Sequence, residues 1–290
     1  MKITKKYNIL ILGSSGLIGH QIYNYLINFE EYNIIGVSKS RKFKNWDLNI
    51  DLENFNILEN FIINYKPNII INCAGKLITA SNKTPKDAIY LNAYFPHLLM
   101  KIADKVNSKI IHISTDCVFS GSKGSYSEYE IKDGLSTYSK TKSLGELNSN
   151  KHLTLRTSVI GPELDLNGEE LFNWFMCQKK TIEGYTGSIW SGVSTIVLAR
   201  MLKKCIDQEL TGIYNITTNT PINKFDLLSI INQFRTDKIN INPVIGVKSD
   251  KSLVDTRLEI NYTYPSYFDQ ISEIFELIRS SNDLYSHYTR

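Results

Sequence analysis

The sequence predicts an α/β protein, a doubly wound parallel sheet with a smaller C-terminal lobe. Two observations carry that reading. Short β-rich apolar runs alternate with longer helix-patterned segments up to residue 157, which is the rhythm of βαβ units. The first run also leads directly into a glycine-rich turn, Gly13-Ser-Ser-Gly16-Leu-Ile-Gly19, that opens a helical pattern.

The runs at residues 8–12, 34–37, 69–72, 110–114 and 152–156 read as strands. Ile69-Ile70-Ile71 is continuously apolar, as a strand covered on both faces requires. Helical patterns lie between them at residues 17–29, 52–65, 85–106 and 138–148. Beyond residue 157 the rhythm changes. Gly161-Pro162 marks a turn, helical patterns follow at 169–179, 193–206, 225–234 and 267–279, and a strand-like run stands at 212–216. These smaller elements read as a lobe packed on the strand ends. The chain therefore divides into residues 1–160 and 161–290, with later segments free to return to the first unit. No repeat or low-complexity tract interrupts it, and the polar tail at 280–290 is expected to fray.

Composition narrows the function classes. With 42% hydrophobic and 21% charged residues, the chain sits near the globular average, which excludes fibrous and disordered classes. A net charge of +4 without a run of five or more like charges gives no electrostatic case for nucleic acid or an anionic membrane as partner. Cys73, Cys117, Cys177 and Cys205 form no Cys-x-x-Cys pair, so neither a metal site nor a disulfide framework is expected, and a reducing cytoplasmic setting fits. Lys2, Lys5 and Lys6 precede an apolar run, but residues 8–12 are too short for a signal-peptide core. No stretch approaches the ~20 apolar residues of a membrane span. A soluble protein is expected.

The glycine turn has the strand-before, helix-after context of a Rossmann dinucleotide fingerprint. Gly13 permits the tight turn, Gly16 lets a pyrophosphate approach the helix N-terminus alongside Ser15, Leu17 and Ile18, and Gly19 allows close helix packing. The end of the second strand reads Val37-Ser38-Lys39-Ser40-Arg41, with no acid. An acid there would hold a ribose 2′-hydroxyl, whereas cations accommodate a 2′-phosphate. NADPH is expected over NADH, with Ser38, Lys39 and Arg41 as phosphate contacts; the alternative is that Lys39 and Arg41 are solvated loop charges.

Tyr138-Ser-Lys-Thr-Lys142 places a phenol and an ammonium on one helix face. The ammonium would favour the phenolate and bring the tyrosine toward the working range of a proton donor. Among 17 tyrosines such a pair arises easily by chance, and its position gives it weight. It follows Ser114-Thr115-Asp116-Cys117-Val118-Phe119 at the C-terminal end of the fourth strand, where open α/β sheets bind ligands. Thr115 is placed to hydrogen-bond a carbonyl beside Tyr138.

These motifs, with Asn72-Cys-Ala-Gly75, Ser114-Thr-Asp-Cys-Val-Phe-Ser-Gly121, Tyr126-x-Glu128, Gly145-Glu146 and Leu155-Arg-Thr157, resemble the extended short-chain dehydrogenase/reductases. The likeness is strongest to dTDP-4-dehydrorhamnose reductases and related nucleotide-sugar 4-ketoreductases, and it covers the first 160 residues. It implies that Thr115 and Tyr138 polarise a keto oxygen, that Tyr138 donates the proton, and that Lys142 contacts the nicotinamide ribose. It further implies that Asp51 and Leu52 lie on the adenine side, that Cys73, Ala74 and Gly75 line the cofactor groove, and that Asn92 sits behind the active site. The expected substrate is a nucleotide-linked 4-keto-6-deoxysugar, dTDP- or UDP-linked, used in surface polysaccharide synthesis. A homodimer is compatible with this family.

Sugar dehydratases similar to this chain carry a glutamate where Cys117 stands, and without that carboxylate ketone reduction is favoured. GDP-fucose synthases pair a cysteine at this offset with a histidine to epimerise before reducing. The stretch from Gly161 to Glu170 holds no histidine, so Cys117 lacks that partner and is read as a small pocket residue, with an epimerase/reductase using Cys117 as the alternative. Phe119, Trp174 and Trp190 are read as substrate contacts, and Lys179 or Arg200 as pyrophosphate contacts. A non-catalytic, NADP-binding regulatory subunit is the rival class.

Overall fold

The computed structural model describes residues 6–39, 41–165, 167–257 and 259–288; Lys2 and Lys5 fall outside them. Along the chain come β1 (Tyr7–Leu12), α1 (Leu17–Leu26), β2 (Tyr32–Ser38), β3 (Leu48–Asn49), α2 (Phe55–Tyr65), β4 (Ile69–Asn72), α3 (Ile78–Lys83) and α4 (Pro85–Ala88). A π-helical turn at Ile89–Tyr94 joins α4 to α5 (Phe95–Lys105), followed by β5 (Lys109–Thr115), α6 (Thr137–Leu144) and β6 (Leu153–Thr157). The sheet order is β11-β6-β5-β4-β1-β2-β3, where β11 is Gly212–Ile216, and every pairing is parallel. The order reverses between β1 and β4, the switch point at which doubly wound sheets hold ligands.

Alternation along β1 explains why both faces are covered. Ile9 and Ile11 pack with Ile22 and Leu26 of α1 on one face, while Leu10 and Leu12 pack with Leu58 and Ile62 of α2 and Leu99 of α5 on the other. All of these side chains are buried. Burying each contributes about 1.5–3 kcal/mol.

After β6 come β7 (Val159–Ile160), α7 (Leu171–Met176), β8 (Ile182–Tyr185), β9 (Ser188–Trp190), β10 (Val193–Ser194) and α8 (Thr195–Asp207). β11 is followed by β12 (Ile222–Asn223), α9 (Lys224–Phe234), β13 (Ile241–Val244), β14 (Ser249–Asp250) and α10 (Tyr267–Ser280). A separate core of Phe172, Phe175, Leu227, Ile231, Ile271 and Ile274 unites α7, α9 and α10. Two elements assigned to this lobe from the sequence belong elsewhere. β11 extends the main sheet beside β6, and Val197, Leu198, Met201 and Leu202 of α8 join the core beneath α1. The amphipathic pattern of α8 shows that one face is covered, and does not say by which layer. The helix expected at 85–106 is one continuous helical run whose middle is π-helical.

Candidate functional site

A cavity of about 940 Å³ opens at the switch point, within the range of small-molecule sites. Its floor is the glycine turn and the ends of β4 and β5, and its far wall is Glu163, residues 167–170 and α7. Gly16, Leu17 and Ile18 line it together with Thr115, Cys117 and Tyr138 and with Glu170, Asn173 and Trp174.

The glycine turn is shaped by close backbone contacts. Gly13 has φ +77, and a Cβ at Gly19 would lie 2.1 Å from the Gly13 carbonyl oxygen. A Cβ at Gly16 would meet nothing nearer than that oxygen at 3.4 Å, so its lack of a side chain is not demanded by the protein interior. Gly16 is the N-cap of α1, without a side-chain cap and without an acid in the first turn. The amides at this helix start therefore face the cavity with the positive end of the helix dipole, which suits a diphosphate.

At the end of β2 the structure redistributes the expected contacts. Lys39 Nζ lies 2.8 Å from Asp51 Oδ2 and 3.7 Å from Glu53 Oε1 in an exposed cluster. The acid missing from the strand end in sequence is thus supplied by Asp51. Ser38 is buried and its hydroxyl donates to the Arg41 carbonyl, so its donor serves the loop. Arg41 Nη1 donates to the Leu164 carbonyl at 3.0 Å, which ties this loop to the residues after β7. Leu52 is buried in the sheet core.

Asn92 works from behind the site. Its Oδ1 accepts from the Lys76 amide at 2.7 Å, and its Nδ2 donates to the Lys76 carbonyl at 3.0 Å and to Thr141 Oγ1 at 3.2 Å. The side chain thereby fixes the loop that carries Ala74 and Gly75 against α6. Cys73 and Gly75 line the cavity, and the Ala74 amide donates to Asn72 Oδ1 at 3.2 Å.

Tyr138 and Lys142 stand on α6, whose start is capped by Ser136 accepting from the Ser139 amide. Lys142 is buried, and its Nζ donates to the Ile113 carbonyl at 2.7 Å. His112 Nε2 lies 3.4 Å from that Nζ, and His112 Nδ1 lies 3.1 Å from Asn72 Nδ2. Burial lowers Lys142 to about 8, against the opposing pull of Glu146. Burial likewise holds His112 well below its ordinary value, so the imidazole is neutral. The expected lowering of Tyr138 by Lys142 is not what the geometry gives. Burial pushes the phenol up, Cys117 adds to this, the Thr115 hydroxyl opposes it, and Asp116 and Glu170 raise it further. At neutral pH Tyr138 is therefore a protonated phenol, a donor.

Thr115 Oγ1 donates to Asp116 Oδ1 at 3.0 Å and accepts from the Cys117 amide at 3.1 Å. Cys117 lines the cavity, with Lys251 Nζ 3.5 Å from its sulfur. Burial pushes its thiol up to about 12.

Two aromatic expectations are corrected. Phe119 is fully buried, stacked on Tyr126 at 4.3 Å between ring centroids, and Arg156 lies over its ring. Trp190 is buried in the lobe core against Tyr267. Their residue type signals apolar area, and the core claimed it. Trp174 does line the cavity. Arg200 is paired with Glu273 at 3.0 Å, and neither it nor Lys179 is among the cavity's lining residues.

Sequence reasoning missed Glu163, Glu170, Lys224 and Lys251. Glu163 is buried in the far wall, where its carboxylate accepts from the Glu170 amide at 3.2 Å, and burial raises it to about 7. The acidic run from 163 to 170 was a visible signal; nothing in the sequence marks the lysines.

Residues 7–252 match the family model described as RmlD substrate binding domain. The dTDP-4-dehydrorhamnose reductase of Aggregatibacter actinomycetemcomitans is 29% identical over 231 residues, which cover 75% of this chain and 76% of that protein. Methionine adenosyltransferase 2 subunit beta of Xenopus laevis is 25% identical over 253 residues, covering 81% and 74%. A crystal structure of dTDP-4-dehydrorhamnose reductase from Bacillus anthracis, in complex with NADP, superposes with a TM-score of 0.80 at 24% identity, covering 93% of this chain and 99% of that one. A match that runs from β1 through the lobe strand β14 spans both the sheet and the cavity's far wall, and the chain belongs to the RmlD substrate binding domain family.

Proposed function

We propose that the protein reduces the C4 ketone of a nucleotide-linked 4-keto-6-deoxysugar with NADPH. The observation that carries this reading is the placement of Thr115 and Tyr138 in one cavity with a diphosphate-compatible helix start and Trp174, where burial favours the protonated phenol. Gly13, Ser15, Gly16, Leu17, Ile18 and Gly19 would hold the cofactor diphosphate. Lys39 would meet the 2′-phosphate: its pair with Asp51 is exposed, and water screens exposed pairs so that they contribute little, which makes release easy. When bound, the nicotinamide supplies the hydride. Tyr138 gives its proton to the carbonyl oxygen, Thr115 orients that oxygen, and Lys142 holds its ammonium behind the phenol, where a ribose hydroxyl can meet it. Trp174 offers an aromatic face to the nucleotide base. The Aggregatibacter relative supports the choice of substrate class.

Purified protein mixed with NADPH and a panel of dTDP-, UDP- and GDP-linked 4-keto-6-deoxysugars is expected to consume cofactor with at least one of them. Replacing Tyr138 by Phe is expected to lower turnover by about 10²–10⁴-fold, the usual share of a general acid, while NADPH binding changes little. Full turnover in Tyr138→Phe would refute the assignment. A second reading, a regulatory subunit, draws on the Xenopus relative. Stoichiometric co-purification with another enzyme, without NADPH consumption, would favour it.

A further inference from the structure

A buried file of polar side chains ties the glycine turn to a segment 265 positions further along the chain. His20 stands on α1 one helical turn after Gly16, and its Nδ1 lies 2.7 Å from the Gly16 carbonyl oxygen. On the other side of the ring, His20 Nε2 lies 2.9 Å from the Tyr285 hydroxyl. Gln21 Nε2 donates to that hydroxyl at 2.5 Å and lies 3.1 Å from His20 Nε2. All three side chains are buried. Tyr285 ends α11 (Asn282–Tyr285), which leads into a 3₁₀ turn at Ser286–Tyr288. This segment is anchored a second time. The Tyr288 hydroxyl accepts from the Glu163 amide at 3.0 Å and donates to Asn173 Oδ1 at 2.9 Å, and its ring meets Phe172 edge-on at 5.5 Å between centroids.

Donors and acceptors in the file run in one direction. A carbonyl oxygen only accepts, so Nδ1 carries the imidazole proton, and in a neutral ring Nε2 is left as an acceptor. Burial holds His20 down at about 4, so the ring is neutral at pH 7. The Tyr285 hydroxyl therefore donates to Nε2 and accepts from Gln21. Supported in this way, the ring holds the Gly16 carbonyl, which also accepts from the His20 amide at 3.1 Å. A trans peptide is planar, with its C=O and N–H on opposite sides, so a carbonyl held toward His20 turns the Leu17 amide away from it. Leu17 lines the cavity, and the first amides of a helix have no acceptor within the helix.

We infer that His20 and Tyr285 are positioning residues of the dinucleotide site, through which the segment 282–288 fixes the Gly16–Leu17 peptide for the cofactor diphosphate. The inference rests on the diphosphate placement proposed above. Neither side chain lines the cavity; both act through Gly16. A donor already aimed before the ligand arrives spares the ordering that binding would otherwise require, and that difference appears as affinity. Because Tyr288 is bonded to Glu163 and Asn173, which line the cavity, the support for the glycine turn is itself seated on the far wall.

NADPH affinity, read by fluorescence titration beside the melting temperature of each variant, tests this without any sugar. Tyr285→Phe keeps the ring and removes the hydroxyl that supports His20, and NADPH is expected to bind about three- to tenfold more weakly, the share of one hydrogen bond. His20→Leu removes the tether itself and is expected to weaken binding at least about tenfold. His20→Asn is expected to stay within about threefold of the parent, because an asparagine amide can hold the carbonyl four residues before it, as Asn64 holds that of Asn60 at 2.8 Å. With a sugar that is reduced, KM for NADPH is expected to rise in Tyr285→Phe while kcat is kept. Unchanged NADPH affinity in Tyr285→Phe, whatever its melting temperature and whether or not His20→Leu folds, would overturn the inference and leave the cofactor placement standing. Equal weakening in His20→Asn and His20→Leu would overturn the route through the Gly16 carbonyl. A parent protein that binds no NADPH would overturn the cofactor placement, and the inference with it.

Discussion

Tyr138 and Lys142 are one helical turn apart, yet burial acts on them in opposite senses because it always disfavours the charged form. The phenol keeps its proton more firmly, and the ammonium surrenders its proton near pH 8. If Lys142 must be cationic to hold the Ile113 carbonyl and a ribose hydroxyl, kcat/KM is expected to fall as pH rises through about 8. A pH profile flat to about pH 10 would contradict that role. Beneath them Arg156 grips Glu146 through two hydrogen bonds, of 2.7 and 2.8 Å, and Ser114 and Lys132 bind the same carboxylate. Burial pushes Glu146 up, but Arg156, Lys132 and Ser114 outweigh it and hold the carboxyl below its ordinary value. Its stabilisation is therefore full above the unfolded-state pKa and is lost as pH falls through the lower folded value. Glu146→Gln leaves Arg156 buried without its counter-charge, and denaturant unfolding is expected to report a loss of about 3–5 kcal/mol. A loss under about 1 kcal/mol would show that the guanidinium finds other partners.

Among the elements, the turn from β1 into α1 separates a glycine demanded by packing from one that lines the cavity. Gly19→Ala forces a Cβ to 2.1 Å from the Gly13 carbonyl oxygen, and since that contact is with backbone, a loss of stability of about 1–3 kcal/mol is expected. Gly16→Ala meets only a 3.4 Å contact and is expected to fold normally while binding NADPH at least tenfold more weakly. Calorimetric unfolding and cofactor titration of the two variants check this; equal effects on both readouts would erase the distinction. The same turn shows what sequence can express. Glycine spacing, an apolar strand and a helical start are local, and they were legible. The partner of a helix face is not local. The α8 pattern predicted a buried face without revealing that α1 covers it, and Phe119 and Trp190 announced apolar area without saying whether core or cavity would use it. Lys39 offered a cation but could not disclose that Asp51, twelve positions on, closes over it. Lys251 reaches Cys117 from β14's end across 134 positions, a contact that only the folded chain creates.

At the scale of the whole molecule, the sheet's reversal between β1 and β4 opens the crevice, and the lobe of α7, α9 and α10 closes its far side. The helix start suited to a diphosphate, Thr115 and Tyr138, and Trp174 and Glu170 all line this one cavity. No helix among the described residues is long and apolar enough to cross a membrane, and no group of three or more metal-ligating side chains is assembled among them. The layout brings a cofactor and a second ligand together over one phenol, and the central claim is that hydride passes between them. NADPH carrying deuterium at the transferred position of its nicotinamide tests this most directly. The account predicts that product sugar formed by the protein bears that deuterium at C4, as located by nuclear magnetic resonance. Recovery of the labelled NADPH intact from every sugar of the panel would contradict it.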